Sequence, residues 1–301
     1  MLPAASSAAA PAPGPPAEPG RLAALMQLVR LPNLLIMALS LALVRACLLD
    51  SALVSGRFAL LALAALSIAA AGYVINDYYD VKIDAINRPT RLVVGRVVNR
   101  RRAMLAHLLL SGLGVLIAGA LSPLLGLVNL GSALLLWGYS ARFKRLALVG
   151  NLSIATLTAA LVLLPELQLR TGQPTVWGYA LAAFLLTVVR EIVKDVEDMR
   201  GDAEHDCRTL PIVWGVARTK WVAAFFLLGL LGFVIGAAVR AGQQQHWLLS
   251  GWLLLTVVGP LLGLGRQLAR ADRRRDFARL SAWCKWIMLA GVLSMTLVGV
   301  G

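Results

Sequence analysis

Charge is scarce in this chain, and so are cysteine and histidine. Of its 301 residues 15% are Asp, Glu, Lys or Arg, against roughly 25% in soluble domains, and no polar stretch reaches the roughly 50 residues that a separate soluble domain needs. The three cysteines, Cys47, Cys207 and Cys284, lie far apart without metal-ligand spacing, which argues against a disulfide framework or a zinc site. The three histidines are scattered as well: His205 reads as a solvated loop residue rather than a base or ligand, and His107 and His246 read the same way near helix ends. Residues 1–20 are, after Met1 and Leu2, Ala, Pro, Ser and Gly with Glu18 as their charge. They lack the basic and apolar regions of a signal peptide, so a disordered cytoplasmic tail is expected there.

What the chain has is apolar length. It is 59% hydrophobic, with a mean hydropathy of +0.76. Apolar runs near the roughly 20 residues needed to cross a bilayer fall at 31–49, 58–76, 103–121, 124–140, 151–168, 177–193, 221–239, 247–265 and 282–299. An all-α membrane bundle of about nine spans is predicted, forming one domain over 21–301.

The formal charge of +14 would suggest nucleic acid in a soluble protein, but its placement argues otherwise. With the N-terminus inside and the spans alternating, the inner connections hold Lys82, Arg88, Arg91, Arg96, Arg100–Arg102, Arg142, Lys144, Arg145, Lys194, Arg200, Arg208, Arg218, Lys220 and the basic run from Arg266 to Lys285. The outer side holds Arg45, Arg57, Arg170 and Arg240. This is the positive-inside bias of a multi-pass protein, here one of the plasma (inner) membrane, and nucleic acid is unnecessary as an explanation. The tryptophans sit mostly near span ends, as interfacial anchors do. Glu166 beside Pro165 reads as either a cavity-lining or an interfacial residue, and the interfacial reading is preferred.

Two acidic clusters stand out against this background. The first ends the second span and reads Asn76-Asp77-Tyr78-Tyr79-Asp80-Val81-Lys82-Ile83-Asp84. If the helix continues, Asn76, Asp80 and Asp84 drift only about 40° per step and line one face over about 12 Å. The second reads Arg190-Glu191-Ile192-Val193-Lys194-Asp195-Val196-Glu197-Asp198, continuing to Gly201-Asp202, and Asp195, Asp198 and Asp202 again share a face. Ionisable groups at a membrane helix end cost several kcal/mol unless paired or bound to a cation. Mg²⁺, which takes one or two carboxylates plus substrate phosphates, is the natural compensation, and Arg88, Arg91, Lys144 and Lys194 are candidate phosphate ligands. One cluster alone could be a solvated helix end with acids and bases pairing across a loop. Two clusters on the same side, each beside basic residues, favour a diphosphate site.

These residues resemble the two signatures of the UbiA prenyltransferase superfamily. Asn76-Asp77-x-x-Asp80-x-x-x-Asp84 followed by Asn87-Arg88-Pro89-x-Arg91 is similar to the first, and Lys194-Asp195-x-x-Asp198-x-x-Gly201-Asp202 closed by Arg208-Thr209-Leu210-Pro211 to the second. Arg30-Leu31-Pro32-Asn33 and Tyr139-Ser140-x-x-x-Lys144 are smaller matches. The segment Ala203–Cys207 departs from the family, which often has a Gly there. The resemblance implies a bundle around a central cavity that opens sideways to lipid, with cytoplasmic caps bearing the Asp motifs. It implies that Asn76, Asp80 and Asp84 hold one Mg²⁺ and Asp198 and Asp202 another, clamping a prenyl diphosphate donor, with Asp77 and Asp195 in support. Arg88, Arg91, Lys144 and Lys194 would neutralise phosphate near Tyr139, and Arg30 and Asn33 would face a lipophilic acceptor. The implied activity is Mg-dependent prenyl transfer, and the stretch Glu191–Gly215 looks most like the geranylgeranylglycerol-phosphate geranylgeranyltransferase branch. Aromatic prenylation of 4-hydroxybenzoate or a naphthoate stays open as an alternative, and a cation-coupled transporter is the competing class.

Overall fold

The structure, a computed structural model, describes residues 20–87 and 92–298, and for residue 21 and residues 83–87 the backbone alone. The expected tail therefore lies, Gly20 apart, outside the described residues, as do Arg88 and Arg91 and the side chain of Asp84.

The elements follow from the apolar runs. A short helix α1 (Arg21–Leu28) turns at Arg30, whose left-handed backbone (φ 52°, ψ 54°) ends it, and Pro32 then opens α2 (Leu31–Leu43) in the first turn, where a missing N–H costs nothing. Next come α3 (Gly56–Asn87), α4 (Arg100–Leu121), α5 (Pro123–Ala141), α6 (Val149–Leu169), α7 (Pro174–Ala203) and α8 (Leu210–Gln243). The chain finishes with α9 (Trp247–Trp252), α10 (Gly259–Arg270) and α11 (Arg274–Ser294). A π turn at Leu253–Val258 joins α9 to α10, because Pro260 has no N–H to continue the α ladder. Gly215, at φ 78°, breaks α8 after its first turns, a backbone shape that glycine takes without steric cost.

Nine helical stretches among the described residues are long and apolar enough to span a membrane, from Leu31–Leu48 to Arg274–Leu297, in register with the nine runs read from the sequence. Their outward faces carry large apolar side chains such as Leu116, Trp221, Phe225 and Leu255. In water such a continuous apolar surface would aggregate; in a bilayer it faces lipid. The protein is multi-pass. Trp137, Trp177, Trp247 and Trp286 are exposed, in keeping with an interfacial role.

The bundle has two packed halves. On one side α3 lies along α4 and α5, and the crossing is close because Gly114 faces the Ala64 carbonyl oxygen: a Cβ there would sit 2.8 Å from it. On the other side α7, α8, α10 and α11 share a core around Val189, Ile192, Leu261, Leu264 and Phe277. Each end is tied separately. At one end Arg45 donates to Gln168 and the Ala52 carbonyl, and Gln168 to the Arg57 carbonyl. At the other the backbone N–H of Arg208 donates to the Arg145 carbonyl at 2.8 Å, and Arg274 to the Glu197 carbonyl. The acidic ends of α3 and α7 both lie at this second end.

Candidate active site

Helix α3 runs without interruption through Asn87, so Asn76, Asp80 and Asp84 do occupy one continuous helix, four residues apart. Asn76 Nδ2 donates to Asp80 Oδ2 at 2.9 Å, and Lys144 Nζ forms a close ion pair with Asp80 Oδ1. Lys144 reaches this carboxylate from the 3₁₀ turn Phe143–Arg145. That turn is pressed against α6 at Gly150, where a Cβ would come within 2.9 Å of the Lys144 Cα.

Helix α7 brings the second acidic face. Asp202 lies in the electrostatic range of Asp198, Asp80, Lys144 and Lys194, so the two acidic helix ends and both lysines meet in one field. Asp195 turns from this group to α6 and accepts from Asn151 Nδ2 at 2.8 Å. That contact ties α7 to α6. Asp77 accepts from Arg30 Nη2 at 3.0 Å, and the Arg30 guanidinium lies 4.8 Å from the centre of the Tyr73 ring. Asn33 Nδ2 donates to the Tyr73 hydroxyl at 3.3 Å.

Below this end lies a cavity of about 1730 Å³, well beyond the roughly 300–1,000 Å³ of an ordinary small-molecule pocket. Of the sequence-predicted residues, Arg30, Asn33, Asn76, Asp77, Tyr139 and Lys194 line it. Asp80, Lys144, Asp198 and Asp202 are not among the lining residues and stand toward the chain connections beyond. The wall includes Ile36, Met37, Ile68, Leu136, Leu157, Leu161, Leu230, Phe233 and Met288. Along α7 it runs from Pro174 to Lys194, about 30 Å at 1.5 Å per residue, matching the roughly 30 Å hydrocarbon thickness of a bilayer.

Several readings of single residues change. His107 is buried and its Nδ1 contacts the Ala71 carbonyl at 3.1 Å, so it packs α4 on α3 rather than standing in solvent. His246 lines the cavity at its far end with a buried Nδ1. His205 Nδ1 meets the Gly201 carbonyl at 3.0 Å, closing the end of α7. Glu166 is buried and accepts from the Thr171 hydroxyl and the Gly172 N–H. It fastens the α6–α7 connection and neither faces the cavity nor sits exposed at an interface. Among the described residues no tryptophan lines the cavity; Tyr73, Tyr139, Tyr179 and Phe233 do.

Cys207 follows α7 and is buried. Burial, reinforced by Asp202, pushes its thiol up to about 11. At pH 8 only about one molecule in a thousand then carries the reactive thiolate, so maleimide labelling of Cys207 in the folded protein is expected to be slow and to accelerate about tenfold per pH unit up to pH 11. Labelling at pH 7 as fast as that of a free thiol would contradict the burial.

The cavity also exposes what sequence reasoning left unassigned. Thr187, Arg190 and Glu191 line it from α7, and Arg190 Nη1 is in close contact with Glu191 Oε1. The signal was present: an Arg-Glu pair inside a span is costly, and such groups mark functional sites.

Comparison with known proteins places this architecture. The chain matches the UbiA prenyltransferase family over residues 23–290. It is 37% identical over 271 residues to a digeranylgeranylglyceryl phosphate synthase of Ignicoccus hospitalis, covering 87% of this chain and 86% of that one. It is 40% identical over 161 residues to the synthase of the same name in Methanospirillum hungatei, covering 52% of this chain and 57% of the relative. The chain thus spans just over half the length of that second relative. In fold it is similar to a solved UbiA homolog from Archaeoglobus fulgidus bound to GPP and Mg²⁺, with a TM-score of 0.63 and 17% identity, covering 91% of this chain and 99% of that one. Nine apolar helices among the described residues, a cavity of bilayer depth and two Asp-bearing helix ends meeting beside Lys144 agree with these matches, and the chain belongs to the UbiA prenyltransferase family.

Proposed function

We propose that the protein transfers a geranylgeranyl group from its diphosphate to the hydroxyl of a glycerol-phosphate lipid, with Mg²⁺ as cofactor and with the reacting end facing the cytoplasm. The observation that carries this reading is the junction of an oxygen-rich acidic end with an apolar cavity of bilayer depth. Among the described residues no group of three acids, histidines or cysteines is close enough to hold a metal unaided. Asn76, Asp80, Asp84, Asp198 and Asp202 would supply hard oxygen ligands from two helices, and phosphate oxygens of the donor would complete the shell, which suits Mg²⁺. Two such ions would add positive charge against the leaving diphosphate.

The chain's own groups account for the rest. Lys144, paired with Asp80 in the free protein, is placed to exchange that carboxylate for a phosphate oxygen as the donor binds, leaving Asp80 to the metal. Lys194, together with Arg88 and Arg91, adds further positive charge where negative charge develops. The allylic C–O bond breaks with its electron pair going to diphosphate, the acceptor oxygen bonds to the same carbon, and the hydroxyl proton leaves with the product anion. The apolar walls hold the prenyl chain away from water, and the cavity's aromatic lining includes Tyr73, beside Arg30, and Tyr139. The basic connections at this end support its cytoplasmic placement, and the bundle from residue 21 to 301 serves as one domain.

The test is incubation of the protein in lipid vesicles with labelled geranylgeranyl diphosphate, Mg²⁺ and a panel of acceptors, followed by mass spectrometry. An ether-linked product of the glycerol-phosphate lipid is expected. Prenylated 4-hydroxybenzoate or naphthoate in its place would overturn the acceptor assignment.

A further inference from the structure

The proposed chemistry uses the acidic helix ends and Lys194 but leaves Thr187, Arg190 and Glu191, inside the cavity, without a task. Thr187, Arg190 and Lys194 follow one another on α7 at spacings of three and four, so they face the same way, and all three line the cavity. The Thr187 side chain is 2% exposed, and its Oγ1 has no hydrogen-bond partner. The Nε of Arg190 is likewise buried without one, while its Nη1 is held by Glu191. Lys194 Nζ stands 3.9 Å from the other Glu191 oxygen. Two orphaned donors on one wall, each costly when left unsatisfied, beside a guanidinium oriented by a carboxylate, form a site that lacks its acceptor atoms.

Resting on the proposed reading, we infer that Arg190, with Thr187, forms a second oxyanion subsite that holds the phosphate of the acceptor lipid, separate from the donor diphosphate. Arg190 is two helical turns deeper than Asp198, about 12 Å along α7. That offset leaves room between the two anions for the reacting carbon, the acceptor oxygen and a few bonds of glycerol. The side chain of Arg190 is 21% exposed to the cavity, and a guanidinium offers a planar fork that suits phosphate. Glu191 acts through Arg190: it is a positioning residue that keeps the fork against the cavity wall. The subsite would make the enzyme select acceptors by their anionic group.

The experiment measures equilibrium binding to the protein in nanodiscs of three probes: a prenylglycerol phosphate, the same lipid without its phosphate, and 4-hydroxybenzoate. The wild type is expected to prefer the phosphorylated lipid by at least about tenfold. Arg190→Gln should bring that ratio close to one, since a charge-assisted contact of this kind accounts for about 10–100-fold in affinity. Thr187→Val, which keeps the side chain's shape and removes only the orphaned hydroxyl, should lower the ratio about threefold to tenfold. Retained binding of geranylgeranyl diphosphate reports a folded bundle, and Arg190→Lys replaces the glutamine variant if that one does not fold. An unchanged ratio in both the Arg190 and the Thr187 variants, or a wild type indifferent to the phosphate, overturns the subsite. Arg190-dependent binding of 4-hydroxybenzoate with no preference between the two lipids overturns its phosphate occupant. A wild type that shows the preference yet transfers no prenyl group upholds the subsite and sinks the proposed reaction instead.

Discussion

Asp80→Ala is expected to lower prenyl transfer by about a thousandfold or more, the scale on which a removed transition-state contact and a lost metal ligand act. Asp80 is where three functional groups converge: Asn76 donates to one of its oxygens, Lys144 to the other, and Asp202 shares its electrostatic surroundings. Removing it strands Lys144, a cation whose side chain is 10% exposed, and would deprive the proposed Mg²⁺ of its central carboxylate on α3. Lys144→Ala makes the informative contrast. It frees Asp80 for metal and removes only one phosphate contact, so donor affinity should weaken while a measurable rate persists at saturating donor. Asp80→Asn, with similar shape and no charge, should resemble Asp80→Ala in rate, because the negative charge is what the metal requires. Steady-state assays at varied donor and Mg²⁺ check all three; an Asp80→Ala enzyme within tenfold of wild type would remove Asp80 from the metal site.

A loss of similar size is expected when Mg²⁺ is chelated, and when Asp198 is replaced by Ala. In the proposed site phosphate oxygens of the donor complete the metal's shell, so metal and donor should bind interdependently. The apparent Mg²⁺ affinity should therefore rise with donor concentration, and the apparent donor affinity with Mg²⁺, by the same factor. Asp198→Ala should cut the rate about a thousandfold and abolish this coupling, whereas Asp195→Asn should act more mildly. Asp195 already spends one oxygen on Asn151, and an amide oxygen can accept the same bond. Isothermal titration of Mg²⁺ with and without the donor measures the coupling. Full activity in excess EDTA would overturn the cofactor assignment.

Paired carboxylates in a membrane protein can also carry cations; membership of the UbiA prenyltransferase family favours the proposed transfer reaction over that competing class.

Much of this protein is determined by the one-dimensional order of its residues. Hydrophobic length fixes the spans, because a backbone in lipid must satisfy its own hydrogen bonds and a helix of about 20 residues is the shortest open-ended way to do so. The basic connections fix the sidedness expected of it, and the four-residue spacing of Asn76, Asp80 and Asp84 fixes a common face, since both depend only on local periodicity. What local pattern could not reach is which side chain meets which across the bundle. His107 and Glu166 look alike in sequence to solvated polar residues near helix ends, yet tertiary packing buries both against backbone groups. The contacts of Lys144 with Asp80 and of Asn151 with Asp195 join residues far apart in the chain. They exist because α5, α6 and α7 end at the same level as α3. The orphaned donors of Thr187 and Arg190 are a further case: a donor lacks a partner only relative to everything packed around it. The two Asp-bearing helix ends were legible in the sequence; the tertiary structure alone decided that they close over a cavity of bilayer depth lined by cations.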